Sequence, residues 1–204
     1  IGSYMCGIAG IIRPSLRSDA SGRMRLEQEV RSLSTALRHR GPDAEGFAFT
    51  ESVGLAHRRL AIVDLTPTGA QPMWSPDRRH VSVFNGEVYN FTRLRDDIEA
   101  KGERFEGRSD TEVALRVLAM DGVPGLARLD GMFALALLDV RTGEVLLARD
   151  RIGQKPLYVA RLRDGGLAFA SEITPLLRVD GVDSAVCREG LAHTLTFGFA
   201  PAPF

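Results

Sequence analysis

Hydrophobic positions change their spacing along the chain, and each change predicts a different element. Residues 7–13 form a short apolar run with β-branched members, which is typical of a buried strand. Apolar residues then recur at helical spacing and predict an amphipathic helix over residues 26–38, which the pair Gly41-Pro42 stops. Alternating hydrophobicity and aromatic or β-branched content predict the next strands, and three strands in a row favour one antiparallel sheet. These three strands span residues 46–50, 54–63 and 80–84.

The second half of the chain passes from helices back to strands. Apolar residues share a helical face between Asn90 and Gly102, and the capping-box sequence SDTE at Ser109 opens a further helix that Gly122 closes. A short helix is predicted at residues 124–129. Turn sequences then separate strands that we interpret as successive hairpins. These strands span residues 132–140, 144–149, 157–161 and 167–170.

The order of the elements indicates the fold class. Strands, then helices, then strands again favour an α+β arrangement of two sheets and layered helices over a doubly wound parallel sheet. The length of 204 residues suits one domain with a substantial core and a short tail. Residues 179–204 carry no decisive pattern and stay unassigned.

Composition and charge narrow the function classes. The chain carries 26 Lys and Arg against 26 Asp and Glu, so nothing suggests an electrostatic attraction to nucleic acid or to an anionic membrane. The longest apolar run is far shorter than a membrane span. Cys6 and Cys187 lack CxxC spacing, so neither a disulfide framework nor a cysteine zinc site is expected, and a reducing cytoplasm is the expected compartment. His57, His80 and His193 show no metal-ligand spacing.

The Met5-Cys6 pair is the first feature that points to chemistry. Residues 1–4 lack the basic and then apolar layout of a secretory signal, and we interpret them as a remnant of expression ahead of the initiator Met5. Removal of Met5 would leave Cys6 with a free α-amino group, whose pKa of about 8 suits a general base for the thiol. On position alone, the alternative is a small cysteine buried in the core.

Eight ordered motifs resemble those of the class II glutamine amidotransferases, and the resemblance covers residues 6–177. Two of the motifs, AHRRLAIVD and NGEVYN, look more like the glutaminase domain of glutamine-hydrolysing asparagine synthetase than like the phosphosugar-aminating or purine-pathway members. The motifs are MCGIAG at 5–10, RHRGPD at 38–43, AHRRLAIVD at 56–64, NGEVYN at 85–90, SDTE at 109–112, DGMFA at 130–134, ARDRIG at 148–153 and ASEI at 170–173.

The resemblance implies an N-terminal-nucleophile hydrolase fold, which is a four-layer αββα sandwich with two antiparallel sheets. It also implies a division of the chain. Residues 1–5 are the remnant and the initiator, residues 6–177 are the glutaminase domain, and residues 178–204 are a linker and the start of a missing synthetase domain.

A role for each site residue follows from the same resemblance. Cys6 is the nucleophile, and the side-chain amide of Asn85 forms the oxyanion hole with the backbone N–H of Gly86. Arg59 holds the α-carboxylate of glutamine, which a guanidinium matches bidentately, and Asp110 pairs with the α-ammonium. The remaining pocket-lining residues are Leu60, Ile62, Val63 and Glu87.

Outside such a family, the same residues have plainer explanations. Arg59 would be an exposed strand arginine, and Asn85-Gly86 would be a turn. Asp110 would be a favourable charge at the start of a helix, which is compatible with a ligand role. Arg58 is predicted to point to the opposite face of its strand and to serve as a control.

The loop RHRGPD is expected to contribute order rather than chemistry. Arg38, Gly41 and Asp43 are predicted to order a loop that covers the site. His39 beside them is predicted to be structural.

The implied reaction is attack of Cys6 sulfur on the glutamine side-chain carbonyl, loss of ammonia to leave a thioester, and hydrolysis to glutamate. The ammonia would serve an ATP-dependent synthetase domain, by default for making asparagine from aspartate. The pyrophosphate loop of that domain is absent from these residues, so no cofactor is expected in this chain, and ATP and Mg are expected only in the missing domain. The alternatives are a related amide-forming enzyme of secondary metabolism and a catalytically silent structural module. A homodimer is left open.

Overall fold

A computed structural model of the chain describes residues 5–14, 20–60 and 69–200. Within these ranges the strands form two sheets, and every pairing is antiparallel. The first sheet consists of β1 (Gly7–Ile12), β2 (Ala44–Phe49), β3 (Val53–Arg59), β8 (Tyr158–Arg161) and β9 (Leu167–Ala170), in the order β2-β3-β1-β9-β8. The second consists of β4 (Met73–Trp74), β5 (His80–Val88), β6 (Gly131–Asp139) and β7 (Val145–Arg149), in the order β4-β5-β6-β7.

Helices form the remaining regular elements of the described ranges. They are α1 (Ala20–Ala36), α2 (Phe91–Glu99), α3 (Asp110–Asp121), a 3-10 helix (Val123–Arg128), α4 (Ile173–Leu176) and α5 (Arg188–Phe197). No helix in the described ranges is long and apolar enough to cross a membrane. Within residues 179–204, for which the sequence showed no decisive pattern, the structure places α5 over Arg188–Phe197.

Three apolar clusters hold four layers together. Between the sheets, Ile8, Leu55 and Phe169 of the first sheet pack in one cluster with Val83 and Ala136 of the second. The apolar stripe of α1 packs on the outer face of the first sheet in a second cluster, and α2 and α3 pack on the outer face of the second sheet in the third. The layers are therefore helix, sheet, sheet, helix, and the predicted αββα sandwich is confirmed.

Two predictions about strand pairing are wrong. The three strands predicted to share one sheet divide between two, since β2 and β3 belong to the first sheet and β5 to the second. The β6–β7 and β8–β9 hairpins are present, but β7 and β8 lie in different sheets, so residues 150–157 cross between the layers. Alternating hydrophobicity marks a strand without specifying its partner, which explains both errors.

Gly10 lies where the centre of β1 leaves no room for a side chain. A Cβ atom there would be 2.5 Å from the Phe169 ring and 2.8 Å from the Gly54 carbonyl oxygen. Phe169 is fully buried between the sheets, so its ring has nowhere to move. We therefore expect Gly10→Ala to lower the free energy of unfolding by about 1–3 kcal/mol in urea titration.

A double-mutant cycle separates this clash from a general effect on the strand. Phe169→Leu removes the ring that the new methyl group would meet, so the double variant should lose less stability than the sum of the two single losses. Strict additivity of the two losses would contradict the steric explanation.

Candidate active site

A cavity of about 650 Å³ lies at one end of the space between the sheets. Strand alternation places its walls, because side chains two residues apart share a face. On β3, Val53 and Leu55 fill the core between the sheets, and Arg59 continues the same face into the cavity. On β5, Val83 is followed in the same way by Asn85. The inner faces of the strands are thus apolar at one end and polar at the other.

The structure brings the described residues that were predicted for the site into this one cavity. They come from separate stretches of the chain: the start of β1, the end of β3, the end of β5 and the start of α3. The members that line the cavity are Cys6, Arg59, Leu60, Asn85, Gly86, Glu87 and Asp110. The predictions for Ile62 and Val63 lie outside the described residues. The chemical roles assigned to these residues stay predictions.

The sulfur of Cys6 is held by the backbone of the residue after β3. The Leu60 N–H donates to Cys6 Sγ at 3.4 Å, and the thiol donates to the Leu60 carbonyl oxygen at 3.7 Å. Burial raises the pKa of the Cys6 thiol above its ordinary value, although the Leu60 hydrogen bond and the positive charges of Arg59, Arg40 and Lys155 act the other way. Cys6 is consequently a protonated thiol near neutral pH, and a reaction at its sulfur needs a base.

Asn85 presents an unused hydrogen-bond donor to the cavity. Its side chain is 2% exposed, and its Nδ2 has no partner among the residues that the structure describes. Next to it, a Cβ on Gly86 would lie 2.2 Å from the Met132 carbonyl oxygen, so only glycine allows β5 and β6 to pair so closely here. A buried donor without a partner costs about 1–3 kcal/mol, which a bound acceptor would offset.

Gln71 fixes the strand that carries Asn85. Its side-chain oxygen accepts from the Phe84 N–H at 2.6 Å, and its Nε2 donates to the Phe84 carbonyl oxygen at 3.1 Å. The short strand β4 pairs with β5 only up to Ser82. At Phe84 the Gln71 carboxamide makes the two backbone hydrogen bonds that a neighbouring strand would otherwise make. Sequence motifs did not indicate this contact, because it joins a loop to a strand across the chain.

Asp110 lines the cavity from the start of α3, together with Glu87 from β5. Its carboxylate accepts from the Val88 N–H at 2.8 Å, which ties the start of α3 to the end of β5. Burial raises the pKa of Asp110, and the negative charge of Glu87 adds to this, while the Val88 hydrogen bond acts the other way. A cationic partner in the cavity would relieve this unfavourable burial of charge.

The capping box at the start of α3 is formed in part. Ser109 Oγ accepts from the Glu112 N–H at 3.3 Å, as predicted. The Glu112 carboxylate does not complete the box but accepts from the Glu106 and Gly107 N–H groups at 2.9 and 2.8 Å. It therefore holds in place a loop that lines the cavity.

The loop 38–43 supports the site from outside the cavity. Arg40, which was given no role from sequence, is 5% exposed, donates to the Cys6 carbonyl oxygen at 3.2 Å and pairs with Glu172 at 3.1 Å. None of Arg38, Gly41 and Asp43 lines the cavity, and their ordering of a loop that covers the site stays a prediction. The loop packs instead on the β3 backbone, where a Cβ on Gly41 would be 2.4 Å from Arg58.

Arg58 points away from the cavity, but it is not a neutral control. It is 9% exposed, donates to the Ser34 carbonyl oxygen at 2.9 Å and pairs with Glu45 at 2.6 Å. Its replacement would remove a buried hydrogen bond that joins β3 to α1 and an ion pair with Glu45 of β2, so stability would fall.

Comparison with known proteins agrees with the motifs. A family profile described as a glutamine amidotransferase domain matches residues 5–204. The glutamine-hydrolyzing asparagine synthetase 1 of Bacillus subtilis is 34% identical over 199 residues, covering 98% of this chain and 30% of that protein. Asparagine synthetase 3 of Arabidopsis thaliana is 41% identical, covering 84% of this chain and 28% of that protein. Asparagine synthetase B of Escherichia coli is 39% identical, with 86% and 30% covered. The chain spans about three tenths of the length of these relatives.

Solved structures share the fold at lower identity. A structure described as the allosteric regulatory enzyme of purine biosynthesis superposes with a TM-score of 0.69 at 21% identity, covering 84% of this chain and 43% of that chain. A glutamine phosphoribosylpyrophosphate amidotransferase from B. subtilis gives a TM-score of 0.63 at 21% identity, with the same shares covered. The fold is that of the N-terminal-nucleophile amidotransferases.

The raised pKa of Asp110 predicts a gain in stability when its charge is removed. A carboxyl whose pKa is higher in the folded protein binds its proton more tightly there, so stability falls as pH rises from the unfolded to the folded value. Asp110→Asn removes this loss, and its amide oxygen can still accept from the Val88 N–H. We expect Asp110→Asn to have a higher Tm than wild type near neutral pH. This difference in Tm should shrink as pH falls below both the unfolded-state and the folded-state pKa of Asp110. Asp96→Asn, which removes an exposed carboxylate on α2, is the control.

Proposed function

This chain belongs to the glutamine amidotransferase domain family, and on that premise we propose that it hydrolyses glutamine to glutamate and ammonia with Cys6 as the nucleophile. One observation carries the proposal. A thiol, a guanidinium, a carboxylate and an amide donor without a partner among the described residues converge on one cavity from four separate stretches of the chain.

The cavity suits the two charged groups of an amino acid. Arg59 offers a planar fork for the α-carboxylate, and Asp110 offers an anion for the α-ammonium. A bound ammonium would also lower the pKa of Asp110 that burial raises. With both ends of the amino acid held, the side-chain carbonyl of glutamine would reach toward Cys6.

The reaction proceeds through two tetrahedral intermediates. Cys6 sulfur attacks the carbonyl carbon, and the thiol proton passes to the α-amino group of Cys6. The negative oxygen is bound by Asn85 Nδ2 and the Gly86 N–H, whose dipoles are in place before the charge develops. The proton then goes to the departing ammonia, which leaves a thioester. Water, losing a proton to the same amine, attacks the thioester and releases glutamate and the free thiol.

The base exists only after processing. While Met5 is present, the nitrogen of Cys6 is part of a peptide bond and cannot accept a proton. Met5 also lines the cavity beside Cys6 and occupies space there. We therefore expect the chain to be active only when residues 1–5 have been removed.

Ammonia from this site would supply an ATP-dependent synthetase domain in the same polypeptide. The support is that the named relatives are glutamine-hydrolyzing asparagine synthetases and are much longer than this chain. Asparagine is the proposed product, in a reducing compartment such as the cytoplasm, where the thiol stays free. A silent structural module is the second candidate. Asn85 Nδ2, which has no partner in the described part of the chain, argues against it, because a module without a ligand would gain stability by losing that group.

Glutamate release from the chain before and after removal of residues 1–5 tests the proposal. We expect activity only in the processed form, with intact mass confirming the new N-terminus, and none in processed Cys6→Ala. Equal activity in both forms would contradict the amine as base. No activity in either form would favour the silent module.

Asn85→Ala tests the oxyanion hole. Loss of one donor that acts on the developing charge should lower kcat by about 100-fold or more, with KM changed much less. Gln28→Ala, which removes an exposed carboxamide on α1, is the control. An unchanged kcat would remove Asn85 from the mechanism.

A further inference from the structure

Lys155 is a buried cation in the cavity that the reaction above does not use. Its side chain is 8% exposed and lines the same cavity as Cys6. Its Nζ lies 3.0 Å from Met5 Sδ, beside the residue that precedes the nucleophile. Within the described ranges it forms no ion pair with any carboxylate. A buried ammonium without a counter-ion is unfavourable, so its position calls for an explanation.

The loop 150–155 holds Lys155 in this position from both sides. The Asp150 carboxylate accepts from the N–H groups of Phe133 at 3.2 Å, Gln154 at 2.8 Å and Lys155 at 2.9 Å. Arg149 Nε donates to the Lys155 carbonyl oxygen at 2.6 Å. The backbone N–H and the carbonyl oxygen of Lys155 thus both form hydrogen bonds, so the side chain extends from an ordered backbone.

Other positive charges near Cys6 are neutralised in the working enzyme. Arg40 is paired with Glu172 at 3.1 Å. Arg59 would be paired with the carboxylate of glutamine, if the proposed function holds. Of the three cations that act on Cys6, Lys155 is then the one for which the described residues provide no carboxylate partner. The charged residues that line the cavity are Arg59, Glu87, Glu106, Arg108, Asp110 and Lys155.

We propose that Lys155 is a positioning residue for the catalytic base: its ammonium, which contacts Met5 and lines the same cavity as Cys6, disfavours protonation of the amino group that removal of Met5 exposes on Cys6. Two positive charges at close range repel each other, so the protonated amine is disfavoured and the proton-accepting form is populated near neutral pH. The inference rests on the proposed function, because it assigns Lys155 to the base of that reaction.

The pH dependence of kcat/KM in the processed chain tests this role. Lys155→Met keeps the length of the side chain and removes its charge, so the acidic limb of the profile should move to higher pH by about one unit. Activity near neutral pH should fall about tenfold and recover in alkaline buffer. Lys155→Arg should keep the wild-type limb. Lys101→Met, at the only other lysine and exposed beyond α2, should change nothing.

A direct titration of the amine makes the result independent of glutamine cleavage. In the processed Cys6→Ala background, the pH dependence of labelling by an amine-reactive reagent, measured on the N-terminal peptide, reports the amine of residue 6. We expect Lys155→Met to raise the pKa of this amine by about one unit. If Lys155→Met does not fold, Lys155→Gln gives the same comparison.

The outcomes separate the two proposals. An unchanged amine pKa, with activity lost equally at every pH, would overturn the role of Lys155 and leave it a packing residue. If Lys155→Met raises the pKa of the amine but the processed wild-type chain releases no glutamate, the electrostatic effect of Lys155 is upheld and the proposed function is overturned.

Discussion

The packing of the two sheets against each other is the constraint on which the site depends. Ile8, Leu55 and Val83 fill the space between the sheets with apolar side chains, and this fixes which face of each strand points inward. Because alternation continues along a strand, the same faces carry Arg59 and Asn85 once the strands pass the apolar region. A shift of one residue in the pairing of β5 would turn Asn85 outward and remove the donor from the cavity. The packing of the core therefore determines which side chains face the cavity, in addition to stabilising the fold.

The groups in the cavity are held in unfavourable states by the same burial. The thiol of Cys6 and the carboxyl of Asp110 both have raised pKa values because water is excluded from them, and the amide of Asn85 has no partner among the described residues. The surroundings maintain this arrangement through backbone contacts: Gln71 binds both polar groups of Phe84, and Leu60 binds the sulfur. Strain of this kind is expected where a ligand supplies the missing partners.

Local sequence predicted much of the fold and of the site, and long-range pairing limited the rest. The period of the apolar positions predicted α2 and most of the strands within a few residues, because a helix or strand face can be recognised within one segment. The predicted start of α1 was six residues too late, and the two-residue strand β4 was not predicted. The sheet to which β5 and β8 belong could not be read in this way, because pairing joins distant segments. The order of the motifs identified Cys6 and Asn85 as site residues. Arg40 and Gln71 were missed because they act through long-range contacts that no local sequence pattern indicates.

Burial also decides which group can take the proton of the thiol. His57 lines the cavity, but burial lowers its pKa to about 3, against the effect of its hydrogen bond to the Phe84 backbone. A base this weak lies several pKa units below a buried thiol, so transfer of the proton to it is strongly uphill. An α-amine, with an ordinary pKa of about 8, is matched far more closely to the thiol. The burial that raises the pKa of Cys6 therefore disfavours the neighbouring histidine as base, and this supports the free amine on Cys6 that is proposed for that role.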